Sequence, residues 1–186
     1  MPASISLLRH AEKQIDDGPP LGVLADGRPD PESLTPRGWQ RAGALVGLFA
    51  PRADGSGSPA LPTPAHLFAC DVGPGSRSRR PLETLLPLSE RLGRPLEGRF
   101  PQDDIDRLVQ AVLDCDGDVL IAWEHKRLPV LAAKLVADDA IVPAVWPDDR
   151  FDLVWLFTRD QAGGAYRLRQ VPQLLLAGDR SEGIAV

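Results

Sequence analysis

Only two cysteines, Cys70 and Cys115, occur among the 186 residues. Two isolated thiols make no disulfide framework, so free thiols in a reducing compartment are the expectation. No apolar run is long enough to span a bilayer, so no membrane partner is expected. Met1-Pro2-Ala3-Ser4 has neither a charged n-region nor an apolar h-region, and a cytoplasmic protein without a signal peptide is expected. An excess of basic residues is also missing. The formal net charge is -5, and nothing basic is spread along the chain to meet a nucleic-acid backbone. There is no His-Glu-x-x-His, Cys-x-x-Cys, Walker A loop or complete dinucleotide fingerprint. His10-Ala11-Glu12 shares the His-x-Glu of zinc deaminases, but no Pro-Cys-x-x-Cys accompanies it. Neither a metal nor a cofactor is expected.

What remains is an ordinary globular composition, 43% hydrophobic and 25% charged, long enough for one domain over 1–186 with a real core. Residues 16–34 are rich in Asp, Gly and Pro and read as a long loop, and 50–64 read as a mobile connection. Ile5–Leu8, His66–Ala69 and Val119–Trp123 read as strands, the last covered on both faces. Thr35 is placed to cap a helix beginning at Pro36, with Trp39, Ala42, Val46 and Phe49 on its buried face. Pro81 opens a second helix with Leu82, Leu85, Leu86 and Leu92 as its stripe. Ile105, Leu108, Val109 and Val112 mark a third helix near 103–114, and Leu128, Leu131, Ala132 and Leu135 a fourth. Asp152–Phe157 and Tyr166–Arg169 flank Gln161-Ala162-Gly163-Gly164, a hairpin signature. This alternation of strands and helices implies an α/β fold, a three-layer α/β/α domain with a mostly parallel central sheet. Ligands of such sheets sit beyond the carboxyl ends of the strands, which selects the polar residues to weigh.

Two of the strands end in a histidine, as Arg9-His10 and as Trp123-Glu124-His125. The strand at 66–69 leads through a glycine-rich loop to Arg77, Arg79 and Arg80 at a helix start. Two histidines, arginines and a helix N-terminus together suit a dianionic phosphate, because guanidinium groups bind its oxygens in pairs and a helix end adds partial positive charge. Taken singly, His10 reads as a structural histidine; in this company it reads as catalytic.

Four stretches in order carry a resemblance: Arg9-His10; Leu34-Thr35-Pro36-Arg37-Gly38; Arg80-Pro81-Leu82-Glu83-Thr84 with Leu92-Gly93; and Leu120-Ile121-Ala122-Trp123-Glu124-His125. The chain resembles the histidine phosphatase superfamily, which includes the cofactor-dependent phosphoglycerate mutases and acid phosphatases. The resemblance covers residues 5 to about 135. It implies a metal-independent phosphatase, a phosphoric monoester hydrolase, acting on a small phosphorylated substrate. His10 would be the nucleophile that takes the phosphoryl group, and Arg9, Arg80 and His125 would bind its equatorial oxygens. Nearby arginines disfavour a protonated His10 and keep one ring nitrogen free to attack. A mutase-type phosphotransferase and a phosphate-binding regulatory module with little turnover are the alternatives.

For the proton donor the sequence offers Asp104, slightly favoured, and Glu124, its rival. Asp103 and Asp104 sit at a helix N-terminus, where acidic residues are also favoured by the dipole alone, as is Asp106. Strand alternation would turn Glu124 away from the face of its neighbour His125. Three departures from the family pattern stand out. Ala11 replaces a frequent glycine, and Asp16-Asp17-Gly18-Pro19-Pro20 replaces the segment typical of mutases. The long basic approach to Arg80 leaves open whether Arg79 or Arg80 points inward, with the register from Pro81 favouring Arg80. Arg77 and Arg79 read as solvated loop charges, and Glu12 and Lys13 as lining the mouth or pairing with each other. His66 reads as structural, and Cys70 as a small buried apolar side chain. Trp39, Trp123 and Trp155 read as core, Trp123 also as a wall of the pocket.

Overall fold

The computed structural model describes residues 1–16, 18–51, 60–73, 75–159 and 164–186. Its strands are β1 (Ser4–Arg9), β2 (His66–Cys70), β3 (Leu96–Phe100), β4 (Val119–Trp123), β5 (Leu153–Thr158) and β6 (Arg167–Pro172). They form one sheet in the order β3-β2-β4-β1-β5-β6. β3, β2, β4 and β1 are mutually parallel, while β5 runs antiparallel to both β1 and β6. Only β5 is reversed, and the sheet is mostly parallel as the alternation of elements implied.

The side-chain period of two divides the strands' apolar residues between two cores. Ile5, Leu7, Phe68, Val119, Ile121, Trp123, Leu153, Trp155 and Phe157 face one side. Leu8, Leu67, Leu120, Ala122, Val154 and Leu156 face the other. On the first side lie α3 (Ile105–Leu113) and α4 (Leu128–Ala133), through Ile105, Leu108, Val112, Leu128 and Leu131. On the second lie α1 (Pro36–Phe49) and α2 (Arg80–Leu92), through Leu45, Phe49, Leu85 and Leu88. This is the expected three-layer α/β/α arrangement. Each fully buried Leu or Phe contributes about 1.5–3 kcal/mol of transfer free energy.

Local chemistry sets the helix ends. Thr35 caps α1 as expected, its Oγ1 accepting from Gly38 N at 3.2 Å, and it also donates to Glu12 O at 3.2 Å. A Cβ at Gly38 would lie 2.4 Å from that same Glu12 oxygen, so only glycine lets α1 start against the segment following His10. Gly93, at φ +63°, terminates α2 in the left-handed conformation.

The structure departs from the sequence reading in several places. β3 was not expected, because Leu96-Glu97-Gly98-Arg99-Phe100 is a charged edge strand held by pairing with β2. α3 begins at Ile105 rather than 103, and α4 ends at Ala133, short of Leu135. A 3-10 turn occupies Asp139–Ile141. Trp39 is only half-buried, its indole donating to Val23 O at 2.8 Å, whereas Trp123 and Trp155 are buried as expected. β5 and β6 pair antiparallel as the hairpin pattern implied, but Gln161, Ala162 and Gly163 of its turn, and 52–59 of the connection, lie outside the described residues. Among the described residues no helix is long and apolar enough to cross a membrane.

Candidate active site

The carboxyl ends of β1, β2 and β4 lie side by side, because β4 pairs in parallel with both neighbours. His10 follows β1 directly, and its N–H continues the ladder to Trp123 O at 3.1 Å. Glu124 and His125 follow β4, while the chain leaving β2 delivers Arg80 at the first turn of α2. A cavity of about 200 Å³ results, lined by His10, Lys13, Arg80, Glu124 and His125 among others.

His10 is 4% exposed, with Nδ1 2.8 Å from Ala11 O. A carbonyl only accepts, so Nδ1 carries the hydrogen and the Nε2 lone pair is left free. Burial above all, helped by the charges of Arg9, Arg80 and His125, holds His10 well below the usual histidine range, against the opposing pull of the Ala11 carbonyl. The imidazole is therefore neutral near pH 7. Its backbone support comes from α2: Ala11 N–H donates to Thr84 Oγ1 at 2.8 Å, and Thr84 in turn donates to Arg80 O at 2.7 Å. Thus the turn that presents Arg80 also fixes the carbonyl that sets the His10 tautomer.

Arg9 is 1% exposed and lies 4.0 Å from the centre of the Phe151 ring. Its Nη1 donates to Pro147 O at 3.2 Å and to Asp148 O, but Nε and Nη2 are buried without a hydrogen-bond partner. Burial lowers the Arg9 pKa to about 10, against the pull of Asp148 and Glu124, so it remains a cation at neutral pH. His125 is 5% exposed. Its Nδ1 is 2.8 Å from Glu124 Oε1 and its Nε2 touches the Asp148 carboxylate, yet neither contact has the angles of a hydrogen bond. Six buried side-chain nitrogen or oxygen atoms lack a hydrogen bond among the described residues, and four belong to Arg9 and His125. Of these, Arg9 Nε and Nη2 are donors with no polar partner, and buried donors left unpaired are costly, which marks this point as one suited to an anion.

Arg80 lines the cavity; its Nε and Nη1 reach Ser33 O and Ser78 Oγ at 3.3 Å each, and Nη2 donates to Pro31 O. Arg79 pairs instead with Asp30 at 3.3 Å and Arg77 with Glu32 at 3.6 Å, both with exposed side chains. Of the acids weighed, Glu124 lines the cavity and Asp104 does not. Asp104 pairs with Arg107 at 3.0 Å, Asp103 with Arg127 at 2.6 Å and Asp106 with Lys134 at 2.7 Å. The alternation argument does not reach Glu124, because β4 ends at Trp123. Burial raises the Glu124 carboxyl, but His125 and the Lys126 N–H outweigh it and hold the group below its ordinary value.

Glu12 and Lys13 do not pair with each other. Lys13 faces the His10 cavity, while Glu12 pairs with Arg41 at 2.8 Å and Arg37 at 3.2 Å. His66 lies apart, with Nε2 2.9 Å from Asp116 O. Cys70 is 1% exposed and lines the cavity, its thiol pushed up to about 12 chiefly by burial. The sequence reading missed Thr84, Asp148 and Phe151. A polar residue on the inner face of α2 was a usable signal for Thr84; the irregular segment bearing Asp148 and Phe151 has no periodicity to read. Among the described residues no group of three or more His, Cys, Asp or Glu is arranged to hold a metal ion.

Sheet order, the two helical layers and this site at the strand ends define a three-layer phosphoglycerate-mutase-like fold. No protein-family model and no curated protein sequence matches the chain. Solved structures do match. The protein histidine phosphatase SixA complexed with tungstate aligns at TM-score 0.56 and 16% identity, over 91% of this chain and 97% of that one. YhfR of Bacillus stearothermophilus aligns at 0.55 and 16%, over 96% and 98%. A mycobacterial glucosyl-3-phosphoglycerate phosphatase aligns at 0.54 and 16%, over 91% and 97%. The chain has the fold of the histidine phosphatase superfamily.

Proposed function

We propose that the chain is a phosphatase that hydrolyses a phosphomonoester through a phosphohistidine intermediate on His10. The observation that carries this reading is the pair of unpaired buried donors on Arg9, Nε and Nη2, beside a neutral His10 with a free Nε2. Phosphoryl transfer asks for little else: an in-line nucleophile and donors around three equatorial oxygens. His10 Nε2 attacks phosphorus while the ester P–O bond breaks. Arg9, Arg80 and His125 hold the equatorial oxygens as charge shifts among them. Glu124 passes a proton to the leaving oxygen, then takes one from the water that cleaves the P–N bond and restores His10. Glu124 is ionised before substrate arrives, and the like charge of an entering phosphate favours its protonated form. Asp104, committed to Arg107 outside the cavity, has no place in this scheme.

The test is turnover of an activated aryl phosphate in the presence of chelator, by the protein and by His10→Ala. Release of the aryl alcohol by the protein and none above background by the variant is expected. Equal rates would sink the mechanism.

A further inference from the structure

A second cavity, of about 310 Å³, adjoins the first and shares His125 with it. Its chemistry is different. Pro129 at the start of α4 and Ala144, Val145 and Trp146 before β5 line it, and none of their side chains offers a hydrogen bond to a ligand. Trp146 has the only polar side-chain atom of the four, and its indole N–H is already given to Arg150 O at 2.8 Å. Its ring is fixed against Trp155, 4.7 Å between centroids, so this wall is preformed. Val145, 68% exposed, keeps its apolar surface uncovered. Polar side chains, Lys126 and Asp148, border the cavity, and both are exposed.

The same segment joins the two cavities. Following Trp146, Pro147 O and Asp148 O accept from Arg9, and the Asp148 carboxylate rests against His125 Nε2. That carboxylate is 83% exposed, so a phosphate oxygen can displace it into solvent at small cost. A phosphate held by Arg9 and His125 then has the apolar cavity at its side.

Resting on the reading of the first cavity as a phosphate site, we infer that the second holds the organic part of the substrate, an apolar aryl or alkyl group. The substrate class is a phosphomonoester of a hydrophobic alcohol. A sugar phosphate would place hydroxyls against Pro129, Ala144 and Val145 and exchange water for nothing. An aryl group there buries apolar surface at about 25 cal/mol per Å².

Non-hydrolysable phosphonates separate this inference from the chemistry at His10. Calorimetric titration with 1-naphthylphosphonate and with methylphosphonate compares one anionic head with and without an apolar body. The naphthyl compound is expected to bind at least about tenfold more tightly, in keeping with the apolar area it buries. Val145→Asp, at an exposed position, should abolish most of that advantage and leave methylphosphonate affinity within about twofold. Equal affinities, or an advantage that survives both Val145→Asp and Ala144→Asp, would overturn the inference and leave the phosphate reading standing. Failure of both phosphonates to bind would overturn the two together.

Discussion

Arg9 and Arg41 are buried to nearly the same degree, 1% and 2% exposed, yet the protein treats them in opposite ways. Arg41 is fully engaged: Nε reaches both Glu12 oxygens at 3.1 Å, Nη1 reaches Gln173 and Asp179, and Nη2 bridges Glu12 at 2.8 Å and Asp179 at 2.7 Å. Burial opposes its charge, but the bonds to Asp179 and Glu12 prevail and hold its pKa above the ordinary value. Arg9 has two carbonyls on Nη1, nothing on Nε or Nη2, and a pKa lowered to about 10. The two environments begin in one short segment, since His10 turns to the cavity, Arg9 packs over Phe151 against the Pro147 and Asp148 carbonyls, and Glu12 turns to Arg41. A saturated arginine holds the fold together; an unsaturated one of equal burial keeps two donors open, which is what the proposed phosphate site requires.

Substitution of each arginine is the strongest way to break this contrast. Arg41→Met leaves the buried Glu12 and Asp179 with only the exposed Arg37 as a cationic partner and should cost about 3–5 kcal/mol in urea unfolding. Arg9→Met removes two donors that had no partner but leaves Pro147 O and Asp148 O without theirs, so its stability cost should be smaller, about 1–3 kcal/mol, while vanadate affinity falls at least about 100-fold. Equal destabilisation by the two would end the comparison. A smaller effect is expected within the cavity itself. Glu124→Gln should slow esters with poor leaving groups about 100-fold and activated aryl phosphates far less, and Asp104→Asn should change neither. A leaving-group-dependent loss in Asp104→Asn would return the acid role to that residue.

Acid unfolding sharpens the structural side. Burial raises the Asp179 carboxyl, but Arg41 and the Leu175 and Leu176 amides prevail and set it at about 2, below its ordinary 3.8. A depressed folded-state pKa means that this carboxylate's stabilisation is complete above pH 3.8 and lost as pH falls towards 2. The loss amounts to about 2 kcal/mol. Asp179→Asn, though less stable at neutral pH, should show a correspondingly shallower decline of stability between pH 4 and 2, read by urea midpoints. A slope identical to that of the unsubstituted protein would contradict the assignment.

Legibility in the sequence followed how local each determinant is. Apolar runs gave β1, β2 and β4, and the Thr35–Pro36 signal gave the start of α1, because these depend on neighbours a few residues away. β3 escaped because only its pairing with β2 makes Leu96-Glu97-Gly98-Arg99-Phe100 a strand. Arg9, His10, Arg80 and His125 could be read as strand-end and helix-start residues, and the parallel pairing of β4 brings them to one edge. Glu124 was harder, since its direction depends on where β4 stops. Asp148 and Phe151 reach Arg9 from about 140 residues further along the chain, through a segment with no periodic pattern. Nothing near them in sequence encodes that meeting.

The central claim, that the unsaturated cluster exists to move a phosphoryl group onto His10, has a direct measurement. The protein is mixed with an aryl phosphate, stopped during turnover in alkaline denaturant, digested, and its peptides are weighed. The peptide bearing His10 should carry one phosphoryl group in the protein and none in His10→Ala. Sustained turnover with His10 unmodified, or with the phosphoryl group on another residue, would contradict the account.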